Sequence, residues 1–411
     1  MDLDLRKRKY AYLLAKVGAN VQPGQPVVVE AAVEGASFTP LFAEACYKLG
    51  ASEVLIRYLD LPNLKTAALY RAAEDLQEPA EWELASYQTL LAQGGCYVRL
   101  ETENPALMAE LSAAQAGAVF THQDRLRNAC RKICRENGKQ WLIAMIPTQE
   151  WADYILPDVP AEERLTRLWD LVTGLCYVDD DRDPVATWAA ARVRVHKIAD
   201  TIDAWHFSRL HYRAGNGTAL TVTLTPDSRF GWPPKDPDDD SLDFTPNMPT
   251  EEVCTTPEKY GTEGVVYATR PLVLGGKALE HFGFRFTKGR VTEVLAEDPE
   301  VKKQLADLIA TDEGAGYLGE CALVEYHSPI SMSGIIYYTT LIDENASCHL
   351  ALGRGLNSGA VSDPAFTYND SAIHVDFMIG TPDMEIDGET ADGTRIPVFR
   401  AGDFCCPEFQ G

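Results

Sequence analysis

The residues with the clearest chemical potential lie between Asn345 and Asp383, which read NASCHLALGRG, a short insert, and NDSAIHVDFMIGTPD. This stretch holds two of the chain's eight histidines, His349 and His374, and Asp376 follows the second by two positions. Imidazole and carboxylate groups at such offsets are the raw material of a metal site. The β-branched and aromatic content of IHVDFMI predicts a strand. Positions i and i+2 of a strand face the same side, so His374 and Asp376 project together.

Further carboxylates come from two other segments. PTEEV carries Glu251 and Glu252, and YLGE carries Glu320 directly before the apolar run CALVEY. A carboxylate at a strand end or inside an apolar segment is costly unless it is paired or metal-bound. Three carboxylates and two histidines, if they converge, suit one or two divalent cations. Two ions about 3.5–4 Å apart suit hydrolysis, because they lower the pKa of a bound water and clamp a tetrahedral intermediate. Each residue alone has a plainer reading. Glu252 fits a loop or helix-cap charge, His349 a hydrogen-bonded core histidine, and His374 with Asp376 a satisfied pair in a sheet. Neither HExxH nor CxxC occurs in the chain.

The elements that must position these groups fall into two halves. Residues 5–17 are expected as a helix. The strands QPVVVEAAV, SEVLIRYLD, GCYVRLETE and QWLIAMIPT follow, separated by helical stretches at 36–50, 62–93 and 104–135. Such short alternation predicts an α/β domain with a mostly parallel sheet. The first strand is not followed by GxGxxG, so a dinucleotide site is not supported. A helix is expected at 161–178 and a longer one from Pro184 to about Leu210. The junction falls within 180–210, giving an N-terminal α/β domain over 1–195 and a C-terminal catalytic domain over 196–411. His206 and His211, at i and i+5, fall on different faces of that helix and are expected as surface or core histidines.

After residue 211 the pattern changes. TALTVTLTP alternates with period two, and GVVYATRPLVL, LEHFGFRFTKGRVTEVLAE, CALVEY and GIIYYTTLID are expected as strands, with one helix at 298–310 and a closing hairpin, EIDGETADGTRIPVFRAGDF. Strands with few helices predict an antiparallel-rich α+β domain. Residues 231–257 are expected as one long loop rich in Pro and Asp.

The formal charge is 37 − 61 = −24 and the pI about 4.7. That balance argues against nucleic acid or an anionic membrane as partner. No run approaches the roughly 20 apolar residues of a membrane span. The N-terminal segment lacks the apolar core of a signal peptide, so the expected location is cytoplasmic, with the ten cysteines reduced.

These segments together resemble the thermophilic metalloprotease family of metallo-aminopeptidases, also called the aminopeptidase T family. The resemblance rests on MPTEEVCTTP, GVVYATRPLVLGG, TDEGAGYLGECALV, SPISMSGIIYYTTLIDENASCHLALG and HVDFMIGTPDMEIDG, with VGANVQPGQPVVVEA in the first half, and it runs along essentially the whole chain. It implies Glu252, Glu320, His349, His374 and Asp376 as metal ligands for two divalent ions of the zinc, cobalt or manganese type. It also implies a homodimer whose active sites face an enclosed space. The implied activity is release of N-terminal amino acids from peptides with a free N-terminus, by attack of a metal-bound hydroxide. Glu251 or Glu320 is the expected proton shuttle. In one departure, the family commonly places a tyrosine seven residues after the histidine of HLALG, where this chain has Leu356. Tyr368 of the same loop is the candidate replacement. The alternatives are a non-peptide amide substrate on the same site, or a catalytically impaired relative kept for binding or assembly.

Overall fold

A computed structural model describes residues 2–104, 107–108, 110–231, 243–274, 277–356, 361–406 and 409. The chain divides into two compact units. One takes Met1–Ala189 with later returns at Pro237–Pro249 and Gly275–Lys277, and the other takes Ala190–Asp236, Thr250–Leu274 and Ala278–Gly411.

The first unit carries strands β1 (Pro26–Ala32), β2 (Glu53–Leu59), β3 (Cys96–Glu101) and β4 (Trp141–Met145). They lie in the order β2-β1-β3-β4 and pair in parallel, as expected. Helices cover both faces, which is why β1 reads as an almost unbroken apolar run. Val27, Val29 and Ala31 pack into one core with Phe38, Phe42 and Trp169, and Val28 packs into another with Tyr87, Tyr97 and Cys130. Glu30 is the exception. It is only 4% exposed, and its carboxylate accepts from Arg127 Nε at 2.9 Å and from the hydroxyls of Tyr87 and Tyr97 at 3.2 and 3.1 Å. The helical stretch expected at 62–93 resolves into Leu61–Tyr70, Ala73–Leu76 and Glu81–Ala92. The one expected from 104 starts only at Ala113, behind a Ser112 cap, and runs to Glu136.

The second unit opens with β5 (Phe207–Arg213) and β6 (Ala219–Thr223). The chain returns to the first sheet as β7 (Asn247–Met248), parallel to β4. It then runs through β8 (Val253–Thr255), β9 (Glu263–Tyr267), β10 (Leu272–Leu274), β11 (Lys277–Leu279), β12 (Phe282–Thr287) and β13 (Arg290–Ala296). After the helix Pro299–Ile309 come β14 (Leu318–Leu323), β15 (His349–Gly353), β16 (His374–Met378), β17 (Glu385–Thr390), β18 (Arg395–Arg400) and β19 (Asp403–Phe404). Two larger antiparallel sheets result, one in the order β13-β12-β9-β6-β5-β17-β18-β19 and the other β16-β15-β14-β8, while β10 and β11 pair with each other in a two-stranded sheet. One apolar core holds Leu210, Tyr212, Phe282, Phe284 and Ile386 of the larger sheet together with Cys321, Leu350, Leu352 and Phe377 of the smaller. Phe284 and Phe377 meet edge to face across it, with ring centroids 5.2 Å apart. The parallel-sheet α/β part and the antiparallel-rich α+β part agree with the expected fold class.

Three local expectations are corrected. The long helix ends at Ala204, and β5 begins at Phe207 after His206 turns the chain at φ +49°. His211 therefore stands on a strand, with its ring 2.9 Å from Glu389 and 3.0 Å from Thr221. Pairing with β17, far along the chain, overrides the local helical pattern. GIIYYTTLID is not a strand. The Asp343 carboxylate accepts from the backbone N–H groups of Tyr337 at 2.9 Å and Thr339 at 3.2 Å, so the segment satisfies its donors locally and ends in the short helix Thr340–Asp343. The expected long loop contains β7 and β8, and its residues 232–242 lie outside the described residues. Among the described residues, no helix is long and apolar enough to cross a membrane.

Candidate metal centre

The smaller sheet of the second unit sorts its side chains by face. Leu350, Leu352, Cys321, Leu323 and Phe377 point into the core. The register places Glu320 opposite Ala351 and Ala351 opposite Asp376 in one row. The next row runs Cys254, Ala322, His349, Met378, and His374 pairs with Gly353. Side chains directly opposite each other share a face, so Glu320, His349, His374 and Asp376 stand together on the face away from the core. Glu252, two residues before Cys254, joins them. Between these groups the face carries Ala322, Ala351 and Gly353, which leave space above the sheet.

Backbone details aim the ligand-type groups. The register of β14 slips between Leu318 and Glu320, a bulge that turns Glu320 toward the histidines. Gly319 is required there, because a Cβ on it would lie 2.3 Å from the Arg354 carbonyl oxygen. His374 Nδ1 is held 2.7 Å from that same carbonyl. An N–H at Nδ1 leaves Nε2 facing the site, the usual way an outer contact fixes a histidine's tautomer.

The distances then follow. His349 Nε2 is 3.3 Å from Glu252 and 3.9 Å from Glu320. His374 Nε2 is 3.0 Å from Glu320 and 3.4 Å from Asp376. Two donor groups emerge, Glu252 with Glu320 and His349, and Glu320 with His374 and Asp376. Within each, one donor atom per residue lies within 4.8 Å of the others.

A family model described as Thermophilic metalloprotease (M29) matches residues 4–404. The chain belongs to this family. Aminopeptidase AmpS of Bacillus subtilis is 36% identical over 403 residues, covering 96% of this chain and 97% of the relative. Aminopeptidase T of Thermus thermophilus is 34% identical over 400 residues, with the same two shares. The solved structure of wild-type AmpT from Thermus thermophilus matches with a TM-score of 0.89 at 31% identity, covering 98% of this chain and 100% of that one. Family membership and these relatives support the expected enzyme class, a metallo-aminopeptidase.

The donor set fits the divalent cation that a thermophilic metalloprotease implies. Glu252 Oε2 and Asp376 Oδ1 are buried and make no hydrogen bond of regular geometry among the described residues, their nearest partners being the imidazoles of His349 at 3.3 Å and His374 at 3.4 Å. Three buried carboxylates thus share two imidazoles, a set that a cation would complete. Burial raises the Glu252 carboxyl against the pull of His349. Burial opposes charge on His349, but Glu252, Glu320 and Asp376 outweigh it and push the imidazole up to about 10. Asp376 and Glu320 do the same for His374, again against burial. Asp376 is raised by burial, yet the two histidines hold it below its ordinary value. The histidines thus carry positive charge where carboxylates converge.

Two further residues belong to the neighbourhood. Glu344 is buried, and burial followed by the charges of Asp376 and Glu252 raises it well above the carboxylate range. Sequence reasoning missed it. The available signal was an acidic residue five positions before His349, inside a segment that reads as a strand end. Cys254 sits in the His349 row, kept a neutral thiol by burial and by Glu320 and Glu252. Glu251 is half-buried outside the two donor groups, its backbone N–H bonded to Asn345 at 2.8 Å. Leu356 is anchored through its backbone N–H to Thr256 Oγ1 at 3.1 Å, and the Tyr368 hydroxyl lies 3.1 Å from Thr225 Oγ1.

Proposed function

We propose that this chain is an aminopeptidase working with two divalent ions. Glu252, Glu320 and His349 would hold one ion, and Glu320, His374 and Asp376 the other. One observation carries the reading. The two oxygens of Glu320 face different histidines, Oε1 toward His349 at 3.9 Å and Oε2 toward His374 at 3.0 Å. A carboxylate so placed serves both donor groups at once. The mixture of carboxylate and imidazole suits zinc, cobalt or manganese.

When bound, such ions lower the pKa of a coordinated water and polarise a peptide carbonyl. The chain's own residues supply the rest. Glu320 has both oxygens committed, so the proton carrier falls to Glu251, whose backbone is held by Asn345 next to Glu252, with the buried Glu344 carboxyl as the other candidate. Glu344 stands beside Glu252, Glu320 and Asp376 as a fourth buried carboxyl, which burial keeps neutral and which a bound cation would help to ionise. The substrate is a peptide with a free N-terminus, its α-amine drawn to the carboxylates. The family resemblance also supports a homodimer in the cytoplasm, and sedimentation of the metal-loaded protein checks the dimer.

A second reading, a catalytically impaired relative, is favoured by one feature. Leu356 brings no phenol, and the Tyr368 hydroxyl is engaged with Thr225. One assay separates the readings. Protein stripped by chelator is given zinc, cobalt or manganese and then free and N-acetylated aminoacyl substrates. Metal-restored hydrolysis of the free-amine substrates alone supports the aminopeptidase. Bound metal with no hydrolysis of either set points to impairment or to a non-peptide amide substrate. Failure to bind metal overturns the proposal.

A further inference from the structure

β16 ends the four-stranded sheet, so its outer edge has no partner strand among the described residues. Backbone groups alternate in direction along an antiparallel pair. Arg354 N–H donates to the Ile373 carbonyl at 2.7 Å, and Ile379 N–H donates to the Cys348 carbonyl at 2.8 Å. Between them Val375 faces Leu352, and Phe377 faces Leu350. Residues 373, 375, 377 and 379 therefore turn their backbone groups toward β15. His374, Asp376 and Met378 turn theirs outward. The Met378 carbonyl is taken by the N–H of Thr269 at 2.8 Å and by its hydroxyl at 3.3 Å. The outward C=O groups of His374 and Asp376 and the N–H of His374 make no backbone hydrogen bond to another strand or loop among the described residues, and the N–H of Asp376 meets its own carboxylate.

An open strand edge is a template for another strand, and extended peptides add to such edges through main-chain hydrogen bonds. Here the two residues whose outward carbonyls stay unpaired among the described residues are the same two whose imidazole and carboxylate rise over the donor face. A chain paired to this edge lies beside the proposed metal centre, continuous with it through β16 itself.

We infer that the substrate peptide binds as an added strand along β16. The residues after the scissile bond pair with the backbone of His374 and Asp376, while the free N-terminal residue crosses onto the donor face. The inference rests on the aminopeptidase reading and adds how the peptide is held. Main-chain pairing reads no side chains, so the downstream residues are accepted broadly. Thr269 closes the edge at Met378, so pairing spans only the three positions facing His374, Val375 and Asp376. Within that span only alternate substrate residues exchange hydrogen bonds.

The test uses the full-length metal-loaded protein. Its substrates are an aminoacyl anilide, the matching dipeptide and longer alanine-extended peptides, and tetrapeptides with a single N-methyl group at one downstream amide, the scissile amide left unmodified. Each backbone hydrogen bond is worth roughly two- to tenfold in affinity. Extension from dipeptide to tetrapeptide should raise kcat/KM about tenfold, then level off. N-methylation should raise KM about tenfold at one amide and little at the adjacent one, which serves as the steric control. Equal effects at adjacent amides, or no dependence on length, would overturn the added strand while anilide hydrolysis upheld the aminopeptidase. Loss of hydrolysis for every free-amine substrate despite bound metal would overturn both.

Discussion

The side-chain oxygen of Asn345 accepts the backbone N–H of Glu251 at 2.8 Å. Asn345 is fully buried, and its amide nitrogen reaches the Leu341 carbonyl and a Glu344 carboxylate oxygen, each at 3.4 Å. One amide thus ties the segment bearing Glu252 to the turn bearing Glu344. Asn345→Ala should cost about 1–3 kcal/mol through the lost acceptor and weaken metal binding by loosening Glu252. Asn345→Asp keeps the acceptor but sets a charge beside Glu344, so much of its loss should be recovered on adding metal. Thermal melts with and without metal check both.

The two faces of β15 should respond differently to substitution. Ala351 stands between Glu320 and Asp376 on the donor face, and Leu350 stands in the core. Ala351→Val adds bulk where the cations would sit, so metal content and activity should fall sharply, for a stability cost of about 1–3 kcal/mol. Leu350→Ala should cost about 2–5 kcal/mol and leave metal stoichiometry unchanged at temperatures where the protein stays folded. Metal analysis beside denaturant titration separates the two.

Proton release should accompany metal binding. His349 is raised to about 10, and His374 is raised as well, so both imidazoles are protonated near neutrality in the metal-free protein. A cation must displace those protons, and metal affinity should climb as pH rises toward that range. Stability of the metal-free protein runs the other way. A raised histidine contributes fully below its unfolded value of about 6.5 and loses that contribution as pH rises through its folded value. Calorimetry in buffers of different ionisation enthalpy, with melts across pH, checks both signs.

In the first unit, Glu30 holds Arg127 at 2.9 Å in a buried setting. Glu30→Ala leaves that guanidinium with Glu101 at 3.2 Å as its remaining carboxylate, so a loss of about 3–5 kcal/mol is expected. Metal binding should persist below the melting transition, because every proposed ligand belongs to the second unit. A drop in metal stoichiometry of the folded variant would contradict this.

Legibility in the sequence followed the range of the interaction involved. The β1 to β4 strands were readable because burial on both faces leaves continuous apolar runs. His374 and Asp376 were readable as a pair because a strand's period of two is local. β5 was not, since its partner β17 lies far along the chain and nothing nearby distinguishes HFSRLHYR from the end of a helix. GIIYYTTLID misled because its β-branched and aromatic residues are typical of strands, while the single carboxylate of Asp343 folds the segment on itself. Glu344 escaped notice for the same reason, since its burial is set by that turn.

The sequence by itself determined the two-part fold class and, through its resemblance, the family, and it singled out Glu252, Glu320, His349, His374 and Asp376 as the proposed ligands. Only the tertiary structure decided that Glu252, Glu320, His349, His374 and Asp376 share one face, that Glu320 stands between two histidines, and that Glu344 joins them. The physical reason is register. Side-chain alternation along one strand is written in neighbouring residues, but which rows of β8, β14, β15 and β16 align depends on pairings between residues from 21 (374 − 353) to 70 (323 − 253) positions apart, including a bulge at Gly319 that no local pattern announces.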